Sequence, residues 1–115
     1  RVCEYDIVVI TAPLLPSTRG LISREVLLAM KQDAILVNIA RGGLIDEQAL
    51  CEVLTERKDL FAALDVFETE PLVEKSPLWR MDNVAISPHN SFVSNGNNAR
   101  MFKVMYENLK NFIEK

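Results

Sequence analysis

Four polar residues in this sequence have the types and positions for joint chemistry: Arg41, Asp65, Glu70 and His89. Each stands at or just beyond an apolar run of the kind that forms a buried parallel strand. A guanidinium at such a position can hold a planar anion through two parallel hydrogen bonds. A histidine exchanges protons near neutral pH, and a carboxylate beside it fixes the ring and favours its protonated form.

These groups form a complete set for the reversible reduction of a 2-keto acid. Arg41 would hold the substrate carboxylate, and His89 would give a proton to the carbonyl oxygen as a hydride reaches the carbon. Glu70 would support the histidine in both directions of the reaction. Together, these residue types are the ones that an oxidoreductase acting on a small 2-keto or 2-hydroxy acid would need.

Each of these residues also has a purely structural interpretation, which the local sequence leaves open. Arg41 could cap a sheet edge or pair with a surface carboxylate. Asp65 could hydrogen-bond backbone amides of the next loop, because a buried carboxylate is costly without partners. Glu70 could be solvated in its loop, and the histidine next to Pro88 could be incidental.

The surrounding elements alternate between strands and helices, which predicts a parallel sheet with right-handed crossovers. Ser23 and Asp46 are expected to be N-caps of the first two helices. The carboxyl ends of parallel strands share one edge of a sheet, where ligands bind in open α/β folds. The predicted strands are 6–11, 34–39, 61–66 and 84–87, and the predicted helices are 23–31, 46–58 and about 93–115.

Composition limits the classes of function. The 115 residues are 49% hydrophobic and 25% charged, which indicates one globular domain at most. A net charge of −3 argues against a nucleic-acid partner. The apolar runs are too short to predict a membrane span. We expect a chain of this type in the cytoplasm. We also expect it to be a piece of a longer chain, because the predicted sheet has an open edge and the first residue is not Met.

The two cysteines, Cys3 and Cys51, have neither metal-ligand nor CxxC spacing, and we predict no metal site. Free thiols are the expected state, with a single disulfide as the alternative.

Three segments resemble the signatures of the D-isomer-specific 2-hydroxyacid dehydrogenases. They are Val-Asn-Ile-Ala-Arg-Gly-Gly-Leu-Ile-Asp at 37–46, Leu-Asp-Val-Phe-Glu-Thr-Glu-Pro-Leu at 64–72, and Ser-Pro-Leu-Trp at 76–79 with Ser-Pro-His at 87–89. They occur in the family's order and spacing, and the resemblance covers nearly the whole chain. It implies that residues 1–115 are the C-terminal portion of a Rossmann-type NAD(P)-binding domain, with the final helix leading back toward a substrate domain. A homodimer is also implied.

The resemblance assigns roles residue by residue. Arg41 would bind the substrate carboxylate, Glu70 and His89 would form the proton relay, and Asp65 would accept from the nicotinamide carboxamide. Trp79 would pack in an apolar loop. Formate dehydrogenases are similar but have glutamine where Glu70 stands, so the glutamate favours a hydroxyacid. The residues implied to contact NAD or NADP are Thr11, Pro13, Ile39, Ala40, Arg41, Asp65, His89 and Ser91.

The sequence departs from the family pattern in two places. Asn90-Ser91-Phe92 stands where many members have a run of small residues. The glycine-rich GxGxxG turn and the acidic residue that selects NAD over NADP are absent from the 115 residues. We therefore expect the isolated chain to bind the dinucleotide weakly and not to turn over.

Two other classes of function compete with the dehydrogenase. The same scaffold could serve a dinucleotide-sensing interaction protein, such as the family's transcriptional corepressors. A phospho-acceptor module using Asp65 is the third possibility, although the acidic pair expected near its first strand is missing.

Overall fold

The computed structural model describes residues 2–114, which form a four-stranded parallel sheet with strand order β1-β2-β3-β4. The strands are β1 (Ile7–Ile10), β2 (Ile35–Asn38), β3 (Phe61–Leu64) and β4 (Val84–Ile86). The helices are α1 (Arg24–Leu28), α2 (Glu47–Glu56) and α3 (Asn97–Ile113), with short 3₁₀ helices at Val2–Glu4, Gly42–Leu44 and Pro77–Arg80. The predicted α/β alternation with parallel pairing is confirmed.

The core lies between one face of the sheet and the first two helices. From the sheet it receives Ile10, Leu36, Ala62 and Leu64, and from α1 and α2 it receives Leu27, Leu50, Val53 and Leu54. The strand burial alternates because side chains along a strand point to opposite faces.

The opposite face of the sheet is open within residues 2–114. Ile7 and Val9 are 58% and 50% exposed, and Phe61 is also exposed. Within the described residues the strands are therefore buried on one face, whereas their apolar composition is typical of strands buried on both faces. An apolar run shows that a strand suits burial, but it does not specify which faces are covered.

The helix ends differ in how well the sequence predicts them. Asp46 is an N-cap as expected, since its carboxylate accepts from the Ala49 N–H at 3.0 Å. Ser23 also precedes a helix, but its hydroxyl donates to the Glu25 carboxylate and makes no cap bond. α1 ends at Leu28 instead of about residue 31, and Arg57 donates to the carbonyls of Met30 and Lys31 just beyond it.

The final helix begins at Asn97, four residues later than predicted, and its last predicted residue, 115, lies outside the described residues. Met101, Met105, Leu109 and Phe112 form an apolar stripe along α3, but α3 buries no side chain. No helix in the described range is long and apolar enough to cross a bilayer.

The segment after β2 packs directly on the segment after β3. A Cβ placed on Gly42 would lie 1.9 Å from the Phe67 carbonyl carbon and 2.4 Å from the Glu68 nitrogen. These are backbone atoms, and they cannot rotate away as a side chain can. Glycine at this position therefore permits the contact that brings Arg41 toward the loop carrying Glu70.

We expect Gly42→Ala to destabilise the full-length protein by more than about 2 kcal/mol, because the methyl group must push two backbone segments apart. Thermal unfolding measures the effect. Gly43→Ala is the matched control, because the nearest atoms there belong to the flexible side chains of Arg19 and Leu14. Equal stability losses in the two variants would show that the close approach does not constrain the fold.

Candidate active site

The predicted functional residues meet at the carboxyl-terminal rim of the sheet. Arg41 follows β2, Asp65 follows β3 directly, and His89 follows β4. Parallel pairing places these strand ends side by side. The rim predicted from the alternation of elements is therefore present.

A buried amide shapes the turn that carries Arg41. Asn38, fully buried at the end of β2, donates to the Arg41 carbonyl at 3.0 Å and accepts from the Ala40 N–H at 3.1 Å. The Arg41 guanidinium is exposed and donates through one nitrogen to the Ala40 carbonyl at 2.6 Å. The turn thus leaves the remaining guanidinium N–H groups available to a ligand.

Glu70 and His89 form the central hydrogen-bonded pair of the site. Glu70 Oε2 lies 2.6 Å from His89 Nδ1, and Glu70 Oε1 accepts from the Phe67 N–H at 3.0 Å. The hydrogen bond from the Phe67 amide, then the bond from His89, hold the pKa of Glu70 below its usual range, and the positive charge of Arg41 adds to this effect. Glu70 is therefore a fixed anion that directs the other ring nitrogen, Nε2, away from the pair.

The backbone of His89 adopts a left-handed conformation with φ of 51°. Such a conformation is uncommon for a residue with a side chain and costs on the order of 1 kcal/mol or more, although histidine tolerates it better than most. The imidazole also contacts the Phe92 ring edge-on, with centroids 6.3 Å apart and planes at 83°. The ring is thus held by the hydrogen bond to Glu70 on one side and by the Phe92 contact on another.

Asp65 anchors the loop that carries His89. Its carboxylate, in a residue only 3% exposed, accepts from the Ser87 hydroxyl, from the Asn90 N–H at 2.9 Å and from the Ser91 N–H at 2.9 Å. Burial alone would raise the pKa of Asp65, but the hydrogen bonds from Ser87, Ser91 and Asn90 outweigh it and hold the pKa far below its usual range.

The structure thus shows the backbone-binding role for Asp65 that the sequence left open as an alternative. Its contact with a nicotinamide stays a prediction. A carboxylate this buried and this fully bonded is not an accessible phospho-acceptor, which removes the main support for that third class of function.

Arg41, Glu70 and His89 line one cleft of about 370 Å³. The cleft is large enough for a small organic acid, and it combines an anion-binding guanidinium with an imidazole held for proton transfer. Its other lining residues are Leu14, Arg19, Gly42, Gly43, Phe67 and Glu68.

Two further hollows adjoin the rim where the nicotinamide contacts were predicted. One, of about 610 Å³, is lined by Thr11, Pro13, Ala40 and Arg41 among others. The other, of about 150 Å³, includes Ile39, Asp65 and Ser91 in its lining. The Ile39 side chain is 44% exposed, which offers an apolar surface to a flat ring next to polar groups. These residues fit the reactive end of a nicotinamide dinucleotide.

The sequence analysis missed several residues that build this site. Asn38 and Ser87 hold the two loops, and Phe92 contacts His89. Arg19 lines the cleft, although the sequence predicted no functional role for it. Trp79, predicted to pack, is 52% exposed, and its indole N–H donates to the Val73 carbonyl at 3.1 Å. It borders an apolar hollow of about 500 Å³ that Glu70 and His89 also line.

Both Cys3 and Cys51 are free thiols, as expected.

Comparison with known proteins agrees with this geometry. The family described as "D-isomer specific 2-hydroxyacid dehydrogenase, NAD binding domain" matches residues 2–91. D-3-phosphoglycerate dehydrogenase of Methanocaldococcus jannaschii is 54% identical over 84 residues, which are 73% of this chain and 16% of that protein. Glyoxylate reductase of Korarchaeum cryptofilum is 41% identical over 106 residues, which are 92% of this chain and 32% of that protein.

Among solved structures, a probable 2-hydroxyacid dehydrogenase from Rhizobium etli CFN 42, in complex with NADP, HEPES and L(+)-tartaric acid, superposes with a TM-score of 0.83. It is 34% identical, and the match covers 98% of this chain and 37% of that one. The predicted Rossmann-type fold is confirmed. The chain spans about a third or less of the two curated relatives. Both relatives are named as enzymes, which does not support the sensing alternative.

We expect Asp65→Asn to destabilise the full-length protein by about 2–3 kcal/mol at neutral pH, because the new amide group points a donor at backbone donors. The folded pKa of Asp65 is depressed, so its stabilising contribution is complete above about pH 4, the ordinary aspartate value. The contribution falls as pH decreases toward the folded pKa. Thermal unfolding measured from pH 7 to pH 3 should therefore show a difference in unfolding temperature between wild type and variant. That difference should become smaller toward pH 3.

Asp82→Asn is the matched control, because Asp82 is exposed and lies outside the rim. It should leave the unfolding temperature unchanged across the same pH range. A pH-independent loss in Asp65→Asn would show that the charge of this carboxylate does not hold the loop.

Proposed function

Since this chain belongs to the D-isomer specific 2-hydroxyacid dehydrogenases and matches their NAD-binding domain, we propose that it supplies the reacting end of such an enzyme. Within a longer protein, it would catalyse the reversible, NAD(P)-dependent reduction of a 2-keto acid to a D-2-hydroxy acid. The observation that carries this proposal is the Glu70–His89 hydrogen bond of 2.6 Å in the same cleft as Arg41.

Arg41 binds and orients the substrate in this proposal. Its exposed guanidinium would take the substrate carboxylate in a planar, two-bond arrangement and so fix the direction of the neighbouring carbonyl. The buried Asn38 amide limits movement of the turn beneath it. Positioning of this kind supplies part of the rate acceleration, because reaction requires the acid group and the proton donor to be correctly separated.

His89 moves the proton. During reduction the protonated ring would donate from Nε2 to the carbonyl oxygen, and during oxidation the neutral ring would accept the hydroxyl proton. Glu70 stays ionised because its pKa is lowered, so it stabilises the charged ring and holds Nδ1. When bound, a reduced nicotinamide supplies the hydride.

The residues that would hold the nicotinamide end are Thr11, Pro13, Ile39, Ala40, Arg41, Asp65, His89 and Ser91. Support comes from the two hollows at the rim and from the exposed Ile39 side chain between them. Asp65 lines the smaller hollow, so a carboxamide N–H bound there would meet an ionised carboxylate whose position is fixed. The Rhizobium etli protein contains NADP, and the cofactor proposed here is NAD or NADP.

The substrate class follows from the cleft and the relatives. A hollow of about 370 Å³ that contains the Arg41 guanidinium and the His89 imidazole suits a small 2-keto acid. The named relatives are a glyoxylate reductase and a D-3-phosphoglycerate dehydrogenase. We also propose that the whole protein is a homodimer, as the family resemblance implies, and that it acts in the cytoplasm, where free thiols such as Cys3 persist.

The full-length protein, assayed at the absorbance band of reduced nicotinamide, tests this function directly. We expect NADH or NADPH oxidation with at least one member of a panel of 2-keto acids. His89→Ala should lower kcat by at least about 100-fold while dinucleotide binding persists, because general acid catalysis contributes that much. Arg41→Ala should lower kcat/KM by roughly 10²–10⁴, because two charge-assisted hydrogen bonds are lost.

Arg80→Ala is the control for these variants, since Arg80 is exposed and lies outside the cleft. Dinucleotide binding without turnover of any keto acid would contradict the dehydrogenase proposal.

We expect Glu70→Gln to reduce kcat/KM for keto-acid reduction by about 10- to 100-fold and to move the alkaline limb of its pH profile to lower pH. The neutral amide no longer favours the protonated histidine, so the proton donor is lost at a lower pH. Steady-state kinetics from pH 5 to pH 10 measure both effects. Glu74→Gln, an exposed glutamate away from the cleft, should leave the profile in place. An unmoved profile in Glu70→Gln would contradict the assigned proton relay.

A further inference from the structure

A second arginine, Arg19, lines the cleft that contains Arg41 and His89. It comes from the loop after β1, whereas Arg41 comes from the loop after β2. Its guanidinium lies over Gly43, since a Cβ placed on that glycine would be 3.1 Å from Arg19 Nη1. The cleft therefore has two guanidinium groups, and the mechanism above uses only one of them.

Backbone hydrogen bonds fasten the two arginine loops together. Gly20 N–H donates to the Gly43 carbonyl at 2.9 Å, and Ile22 N–H donates to the Leu44 carbonyl at 2.9 Å. The Asp46 N–H donates to the Ile22 carbonyl at 3.1 Å, and Ile22 and Ile45 form a parallel β-bridge. We call this set the loop strap. It fixes the position of the Arg19 backbone relative to the Arg41 turn.

The Arg19 loop also has internal support. The Thr18 hydroxyl donates to the Pro13 carbonyl at 2.7 Å and accepts from the Leu15 N–H at 2.8 Å. The Arg19 N–H donates to the Leu15 carbonyl at 3.0 Å. The Arg19 side chain thus starts from an ordered turn, and its guanidinium lies beside Gly43 in this structure.

The charge of Arg19 is unmatched within residues 2–114, where its guanidinium forms no hydrogen bond or ion pair. Two acids share the cleft, Glu68 and Glu70. Both oxygens of Glu70 already accept, from Phe67 and His89. Glu68 is exposed, and its described hydrogen bond is the donation of its N–H to Glu47. An anion entering the cleft would therefore meet a guanidinium that no acid in the described chain neutralises.

We propose that Arg19 is a specificity-determining residue that binds a second anionic group on the substrate. Resting on the proposed function, this names the preferred substrate class as 2-keto acids with a second carboxylate or a phosphoryl group. Arg41 takes the carboxylate next to the keto carbon, and Arg19 takes the distal anion. A guanidinium suits either anion, because both present paired oxygens to its parallel N–H groups.

The test compares substrates in the full-length enzyme. Glyoxylate and pyruvate have one anionic group, oxaloacetate and 2-oxoglutarate have a second carboxylate, and 3-phosphohydroxypyruvate has a phosphoryl group. We expect Arg19→Gln to lower kcat/KM for the preferred dianionic substrate by roughly 10- to 100-fold, mainly through KM, as one lost charge-assisted contact predicts. The change for the single-anion substrates should be less than about threefold. Arg19→Lys should recover part of the loss.

Arg80→Gln is the matched control, because it removes the same charge at an exposed position outside the cleft. Whichever dianionic substrate shows the larger Arg19→Gln effect identifies the second anion as carboxylate or phosphoryl. An equal loss for single- and double-anion substrates, or no loss for either, would overturn the assignment while leaving the dehydrogenase proposal intact. No turnover of any keto acid by the wild type would overturn both.

Discussion

The carboxyl-terminal rim of the sheet depends on one buried carboxylate. Asp65 ends β3 inside the protein, and three donors from the segment after β4 satisfy its charge. A buried ion without such donors would be expensive, so the fold and the charge require each other. Because those donors flank His89 in the chain, the same bonds that stabilise the carboxylate fix the path of the loop that carries His89. The left-handed backbone of His89 is sustained by this anchoring.

Much of the fold follows from local sequence pattern. Short β-branched and apolar runs predict the strands, and Asp46 predicts the start of α2, because these signals act over a few residues. The coverage of the sheet does not follow in this way. An exposed Val9 and a buried Ile10 are equally apolar, and only the placement of α1 and α2 distinguishes the two faces. Ser23 shows the same limit, since a neighbouring Glu25 takes its hydroxyl away from the helix end.

The residues of the site likewise include some that the sequence predicts and some that it does not. The proposed reacting residues Arg41, Glu70 and His89 could be named from their types, their spacing and a family resemblance. The groups that hold them could not, because their bonds join residues far apart in the chain. Ser87 reaches a carboxylate 22 residues away, and this contact leaves no trace in local spacing. Asn38 acts locally on the Arg41 turn, but an asparagine at a strand end has many other uses. Arg19 reaches the cleft only through the pairing of two loops.

The loop strap has a consequence for how the cleft meets its ligand. Loops at a sheet rim are usually the mobile part of an α/β protein, but here the backbone amides of Gly20, Ile22 and Asp46 are engaged as they would be in a sheet. The two guanidinium groups are therefore carried by loops that are already joined to each other, and not by two loops that are independent of each other. A ligand that fits their spacing loses little affinity to loop ordering, whereas one that does not fit cannot draw the loops toward itself. If both guanidinium groups bind the substrate as proposed, the cleft would discriminate between acids by their length as well as by their charge.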